Sequence, residues 1–121
     1  MKLGLVGYGY WGKILHKNLI SMKQNVVVCE TVDCPSMPDA IKRYSDLDVD
    51  AVFVAVPCKT HYDICKHFLN RRIPVFCEKP LTFTLEQSKE LYYISNQTNT
   101  PLFVDWVFMY NQQVNKIKFL S

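Results

Sequence analysis

Apolar residues fall into two patterns that alternate along the chain. Short unbroken runs recur at Lys2–Val6, Asn25–Cys29, 51–56, 74–77 and Leu102–Asp105, each too short for a helix and rich in Val, Leu and Phe. Five strands are predicted. They lack polar alternation, as strands do in a parallel sheet covered on both faces. Between them the apolar positions take a helical spacing. Trp11, Ile14, Leu15, Leu19 and Met22 form the stripe of a first helix,. A second helix begins at Thr60, whose hydroxyl is placed to cap it with Asp63 three residues on, and buries Ile64, Cys65, Phe68 and Leu69,. A third follows Thr84, which has capping-box spacing to Gln87, and uses Leu85, Leu91 and Ile94 before Asn96 and Thr98 break the pattern,. A last helix is predicted over 111–120, with Val114, Ile117 and Leu120 three apart,. Residues 38–44 read as a short helix or an irregular crossover. Strands alternating with helices of this length predict an α/β, doubly wound parallel sheet with right-handed crossovers, in the order 3-2-1-4-5.

The length, 121 residues, suits one domain, and a hydrophobic fraction of 49% with 21% charged residues is that of a globular chain with a packed core,. No interdomain linker, repeat or low-complexity tract interrupts it. The net charge of +3 comes from scattered lysines, and Arg71-Arg72 is the densest basic cluster. That distribution lacks the concentrated basic face of a nucleic-acid binder. No run approaches the roughly 20 apolar residues of a membrane span. Cys29, Cys34, Cys58, Cys65 and Cys77 show no paired CxxC spacing and no zinc-finger period, so no metal is expected,. Their odd number, and the position of Cys29 and Cys77 in apolar runs, fit free thiols in a reducing cytoplasm. Cys58 falls on the loop after the third strand, without a neighbouring base to make it a thiolate.

The first apolar run ends in Gly7-Tyr8-Gly9-Tyr10-Trp11-Gly12, a GxGxxG sequence placed where the strand gives way to the first helix. Gly7 permits the tight turn, Gly9 the approach of a pyrophosphate, and Gly12 close packing of helix on strand. The helix N-terminus then offers N–H groups and a favourable dipole to phosphates. A plain strand-to-helix turn would need only one or two of these glycines. Tyr10 and Trp11 read as packing or partial cover over a cofactor. Eighteen residues after Gly12, Glu30 ends the second strand, where a carboxylate accepts hydrogen bonds from the adenosine ribose and repels a 2′-phosphate,. The reading is a Rossmann domain for NAD(H), with an ordinary surface glutamate as the alternative for Glu30.

Further motifs follow: Val54-Ala55-Val56-Pro57-Cys58-Lys59-Thr60-His61 after the third strand, Glu78-Lys79-Pro80 after the fourth, and Phe103-Val104-Asp105-Trp106 before the last helix. With the glycine loop they make the chain resemble the Gfo/Idh/MocA oxidoreductases over its whole length. The ending 104–110 is similar to the sugar-nucleotide dehydrogenase branch, although Trp106 stands where such members usually carry His. The resemblance implies an NAD-dependent oxidoreductase acting on a sugar or sugar-nucleotide alcohol by hydride transfer. It puts Lys79 beside the nicotinamide and the substrate hydroxyl as the catalytic group, and Glu78 near the nicotinamide ribose. Val56, Pro57 and His61 would line the cofactor cleft, with Gly7, Tyr8, Gly9, Tyr10, Trp11, Gly12 and Glu30 completing the cofactor set. An ammonium at Lys79 can stabilise a developing alkoxide; the alternative is a solvated loop lysine. His61, at the first turn of a helix, reads equally as a structural donor. His16 and His67 read as surface residues.

Family members usually continue into a second domain that supplies a proton-transferring histidine and most sugar contacts. Residues 1–121 correspond to the dinucleotide-binding domain alone, with that substrate domain absent. A stand-alone nucleotide-binding module without turnover, working with a partner chain, is therefore the competing reading. Trp106, Phe108 and Tyr110 would form an aromatic patch for a homodimer or a partner.

Overall fold

Residues 1–32 and 34–105 are described by a computed structural model. The predicted last helix and the 106–110 patch lie outside the described residues. Five strands, β1 (Lys2–Val6), β2 (Asn25–Cys29), β3 (Ala51–Val54), β4 (Val75–Glu78) and β5 (Leu102–Asp105), form one parallel sheet. Helices α1 (Tyr10–Ser21), α2 (His61–Asn70) and α3 (Leu85–Thr98) connect them. Side chains alternate between the faces as the strand period requires. Leu3, Leu5, Ala51, Phe53 and Phe76 join Leu15 and Leu19 of α1 on one face. Val6, Val52, Val54, Val75 and Cys77 join Ile64, Cys65, Phe68 and Leu69 of α2 and Leu91 of α3 on the other. The sheet is thus wound on both sides.

The strand order is 2-1-3-4-5, a correction to the expected 3-2-1-4-5. The reason lies in burial. All four residues of β3 are buried, whereas β2 begins with exposed Asn25 and half-buried Val26 and Val27, which suits an edge. Among the described residues no strand lies outside β2, only a bridge from Cys29 to Ile41, tied by Ile41 N–H to the Val28 carbonyl at 2.9 Å and Glu30 N–H to the Ile41 carbonyl at 2.8 Å. The direction of winding therefore reverses between β1 and β3. In an open α/β sheet that reversal places the ligand crevice at the carboxyl ends of those two strands.

Two helix ends differ from expectation. Thr60 does not cap α2 with its side chain, because a 3-10 turn at Cys58–Thr60 precedes the helix and the Thr60 hydroxyl donates to the Pro57 carbonyl at 2.9 Å. Helix α3 continues through Asn96 to Thr98 and stops where Asn99 adopts a left-handed conformation. Its start is as predicted, Thr84 Oγ1 accepting the Gln87 N–H at 3.2 Å. Residues 38–43 are irregular, followed by a 3-10 turn at Tyr44–Asp46. His16 and His67, expected on the surface, are both partly buried.

Candidate functional site

The carboxyl end of β1 turns sharply at Gly7, whose φ of +105° suits glycine alone,. A Cβ there would stand 2.3 Å from the Ala55 carbonyl oxygen, because the turn runs directly against the loop after β3. Gly12, in the first turn of α1, is needed for close approach: its Cβ would lie 2.2 Å from the Gly7 carbonyl oxygen. Gly9 differs. A Cβ there would meet nothing within 4 Å, so the described residues leave that space open. Gly9 is also the N-cap of α1, with no side-chain hydrogen bond and no acid in the first turn. The helix thus starts as an uncapped positive pole facing open space, the condition under which phosphates bind there.

Glu30 stands beside this loop. Its Oε1 accepts the Tyr8 N–H at 3.1 Å and its Oε2 the Thr31 N–H at 3.0 Å. The carboxylate ties the end of β2 to the glycine turn, and each oxygen keeps lone pairs for a further donor. The Tyr8 hydroxyl meets His16 Nδ1 at 3.3 Å, with Lys13 over the Tyr8 ring. Tyr10 and Trp11 are exposed and meet edge to face.

A cavity of about 550 Å³ opens next to Glu30 and Gly7. Val6, Cys29, Val56 and Ile64 give it an apolar floor, Val32, Tyr44 and Pro57 line it further, and Thr31, Lys59, Thr60 and Asp63 add polar groups. Its size and mixed lining are those of a small-molecule site. Of the predicted residues, Gly7, Glu30, Val56 and Pro57 meet here. Thr31, Val32, Tyr44, Lys59, Asp63 and Ile64 were not anticipated. Ile64 and Asp63 read in the sequence as core and cap, and Tyr44 arrives from the irregular crossover, which has no periodicity to place it.

Glu78 and Lys79 lie farther along the same edge, at the end of β4, and do not line that cavity. From β2 to β4 is three strand spacings, about 14 Å. Glu78 is half-buried; burial pushes its carboxyl above the usual carboxylate range, and His61 pulls it partly back. Lys79 is exposed and joined to Pro80 by a cis peptide bond. His61 is buried at the start of α2, 2% exposed. Its Nε2 lies 2.8 Å from the Val56 carbonyl, and its Nδ1 3.0 and 3.1 Å from the Pro80 and Leu81 carbonyls. The Cys58 thiol donates to the same Pro80 carbonyl at 3.4 Å, and burial raises its pKa, which keeps it a thiol,. Among the described residues no cluster of His, Cys, Asp or Glu could hold a metal ion, and no helix is long and apolar enough to cross a membrane.

The arrangement offers, in order along one edge, a carboxylate, an open helix N-terminus and an exposed ammonium. A ligand with a diol, a phosphate bridge and a reactive end matches that sequence of groups. Comparison with known proteins gives the same reading. The GFO_IDH_MocA family model, described as an oxidoreductase family with an NAD-binding Rossmann fold, matches residues 1–106. Inositol 2-dehydrogenase of Mycolicibacterium gilvum is 41% identical over 58 residues, which are 48% of this chain and 17% of that protein. Scyllo-inositol dehydrogenase from Lactobacillus casei, solved with bound NAD(H) and scyllo-inositol, superposes with a TM-score of 0.75 at 25% identity over 86% of this chain and 35% of that one. A probable dehydrogenase from Thermotoga maritima shares the fold with a TM-score of 0.77 at 23% identity, over 87% of this chain and 36% of that one. The chain thus spans a minor part of the length of each.

Proposed function

Because the chain belongs to the Gfo/Idh/MocA oxidoreductases, a family with an NAD-binding Rossmann fold, we propose that it is the cofactor-holding part of an enzyme that oxidises a secondary alcohol on a sugar or cyclitol. The inositol dehydrogenases among its relatives support that substrate class, and a sugar nucleotide is the variant that the sequence favours. In this reading the adenosine sits in the cavity beside Glu30, the pyrophosphate crosses Gly9 at the N-terminus of α1, and the nicotinamide reaches toward Glu78 and Lys79. The observation that carries it is the empty space at Gly9, next to an uncapped helix and a cavity. When bound, the nicotinamide supplies the hydride acceptor. Glu30 holds the ribose diol, and the Lys79 ammonium hydrogen-bonds the substrate oxygen and stabilises its developing negative charge. Tyr10 and Trp11 cover the phosphates. Val56 and Pro57 border the crevice from the β3 side.

The test is separate titration of NADH and NADPH into the purified chain. A 2′-phosphate about 4 Å from Glu30 meets a repulsion of about 1–4 kcal/mol, so NADPH should bind at least about fivefold more weakly. Equal affinities would remove Glu30 from the site. The same reading places the protein in the cytoplasm, where its free thiols are stable,. It also expects a homodimer or partner chain over Trp106, Phe108 and Tyr110, which sedimentation at micromolar concentration would reveal or refute.

A further inference from the structure

We propose that His61 is a positioning residue held as a buried imidazolium, with both ring nitrogens donating, and that it pins the turn bearing Lys79 to the loop after β3. Three carbonyl oxygens surround the ring, those of Val56, Pro80 and Leu81, at 2.8, 3.0 and 3.1 Å. Each can only accept. A neutral imidazole has one N–H and one bare nitrogen. With the proton on Nδ1, the lone pair of Nε2 faces Val56; with it on Nε2, the lone pair of Nδ1 faces both Pro80 and Leu81. Either tautomer sets lone pair against lone pair in a place that water scarcely reaches, since the residue is 2% exposed,. With both protons present, every contact becomes a donor–acceptor pair of the stronger, charge-assisted class.

The surrounding charges have both signs. Lys79 in the turn, Lys59 in the loop before α2 and the positive end of α2 itself oppose a cation,. Asp63, in the first turn of α2, and Glu78, at the end of β4, favour it, and Glu78 interacts with the ring electrostatically. The Cys58 thiol, whose pKa burial raises, shares the Pro80 carbonyl with the ring. The three carbonyl dipoles and the Glu78 carboxylate decide the balance. One side chain then ties Val56, which lines the cavity, to Pro80 and Leu81, which follow Lys79. The two loops bordering the crevice are thereby fastened to one another. The protonation state rests on this geometry alone; its consequence for the cofactor rests on the function proposed above.

The experiment is long-range proton–nitrogen correlation NMR of the ¹⁵N-labelled chain at pH 7, followed by NADH titration of His61→Gln and His61→Asn. Both His61 ring nitrogens should appear as protonated, while His16 and His67, whose pKa values burial lowers, each show one bare nitrogen. A bare nitrogen on His61 overturns the assignment. Each variant restores a donor on one side only, and loss of the other contact should weaken NADH about tenfold. Variants that bind NADH as tightly as the original chain overturn the positioning role. If the original chain does not bind NADH, the functional reading fails and with it that role, while the NMR result still decides the imidazolium.

Discussion

Gly7 and Gly9 stand two residues apart in one motif, and their surroundings differ. At Gly7 the constraint is the protein: a positive φ and the Ala55 carbonyl leave no place for a Cβ. At Gly9 the described residues impose none, and in the proposed function the constraint is the pyrophosphate. Two substitutions separate these. Gly9→Val should abolish NADH binding while lowering stability only by about 1 kcal/mol, the cost of a poorer N-cap. Gly7→Ala should lower stability by more than about 2 kcal/mol from backbone strain and overlap. Chemical denaturation and NADH titration of both variants check this, and a Gly9→Val chain with unchanged affinity refutes the phosphate-loop reading. Glu78 makes a second residue-scale case. Burial raises its carboxyl pKa on folding, so the folded chain binds the proton more tightly than the unfolded one. Stability therefore falls as pH rises from the ordinary carboxylate range through that raised value. Glu78→Gln should raise the denaturation midpoint at pH 7, and the gain should vanish as the pH falls below the carboxylate range. A gain independent of pH would show that the charge is not its cause.

At the scale of elements, the sheet is held by ladders that cross it. Phe53, Phe76 and Phe103 are in register on β3, β4 and β5 and stack with centroids 5.1 and 4.8 Å apart. Phe76 is the middle ring and 2% exposed. Phe76→Ala should cost about 3–5 kcal/mol, a large share of the roughly 5–15 kcal/mol by which a domain is stable. A shift under 1 kcal/mol in urea unfolding would mean that the ladder is not a core element. These strands were legible in the sequence because burial on both faces leaves an unbroken apolar run, and β1, β2 and β5 have the predicted ends. Their order was not legible. It depends on whether residues 31–50 provide a strand beside β2, and that stretch instead provides one bridging residue, Ile41. The cap at Thr84 was readable because its partner is three residues away. The role of Thr60 was not, because a 3-10 turn with no sequence mark of its own takes up the hydroxyl. The site divides the same way. Gly7, Gly9, Gly12 and Glu30 carry spacing rules, whereas Tyr44 and Asp63 reach the cavity through the tertiary path of the chain.

At the scale of the whole molecule, the carboxyl edge of the sheet sets Glu30, the glycine loop and Lys79 in a line from β2 to β4, and in the function proposed above binding and turnover make different demands on that line. Binding, in that reading, rests on Glu30, the open helix end and the crevice on this edge. Turnover needs more. Oxidising an alcohol requires a proton acceptor within hydrogen-bond reach of the hydroxyl and a pocket that holds the carbon against the nicotinamide. An ammonium such as that of Lys79 donates and has no lone pair to accept with. Positioning carries the larger share, since the effective molarity of a well-oriented reaction is on the order of 10⁵ M or more, worth several kcal/mol of catalysis. In the function proposed above, where this stretch is the cofactor-holding part, a polypeptide of these 121 residues should bind NADH yet show no enzyme-like rate. The measurement is NADH absorbance on incubating the chain with NAD and a panel of inositols, hexoses and UDP-sugars. Robust turnover that disappears in Lys79→Ala would show that the chain, or an oligomer of it, completes an active site around that lysine.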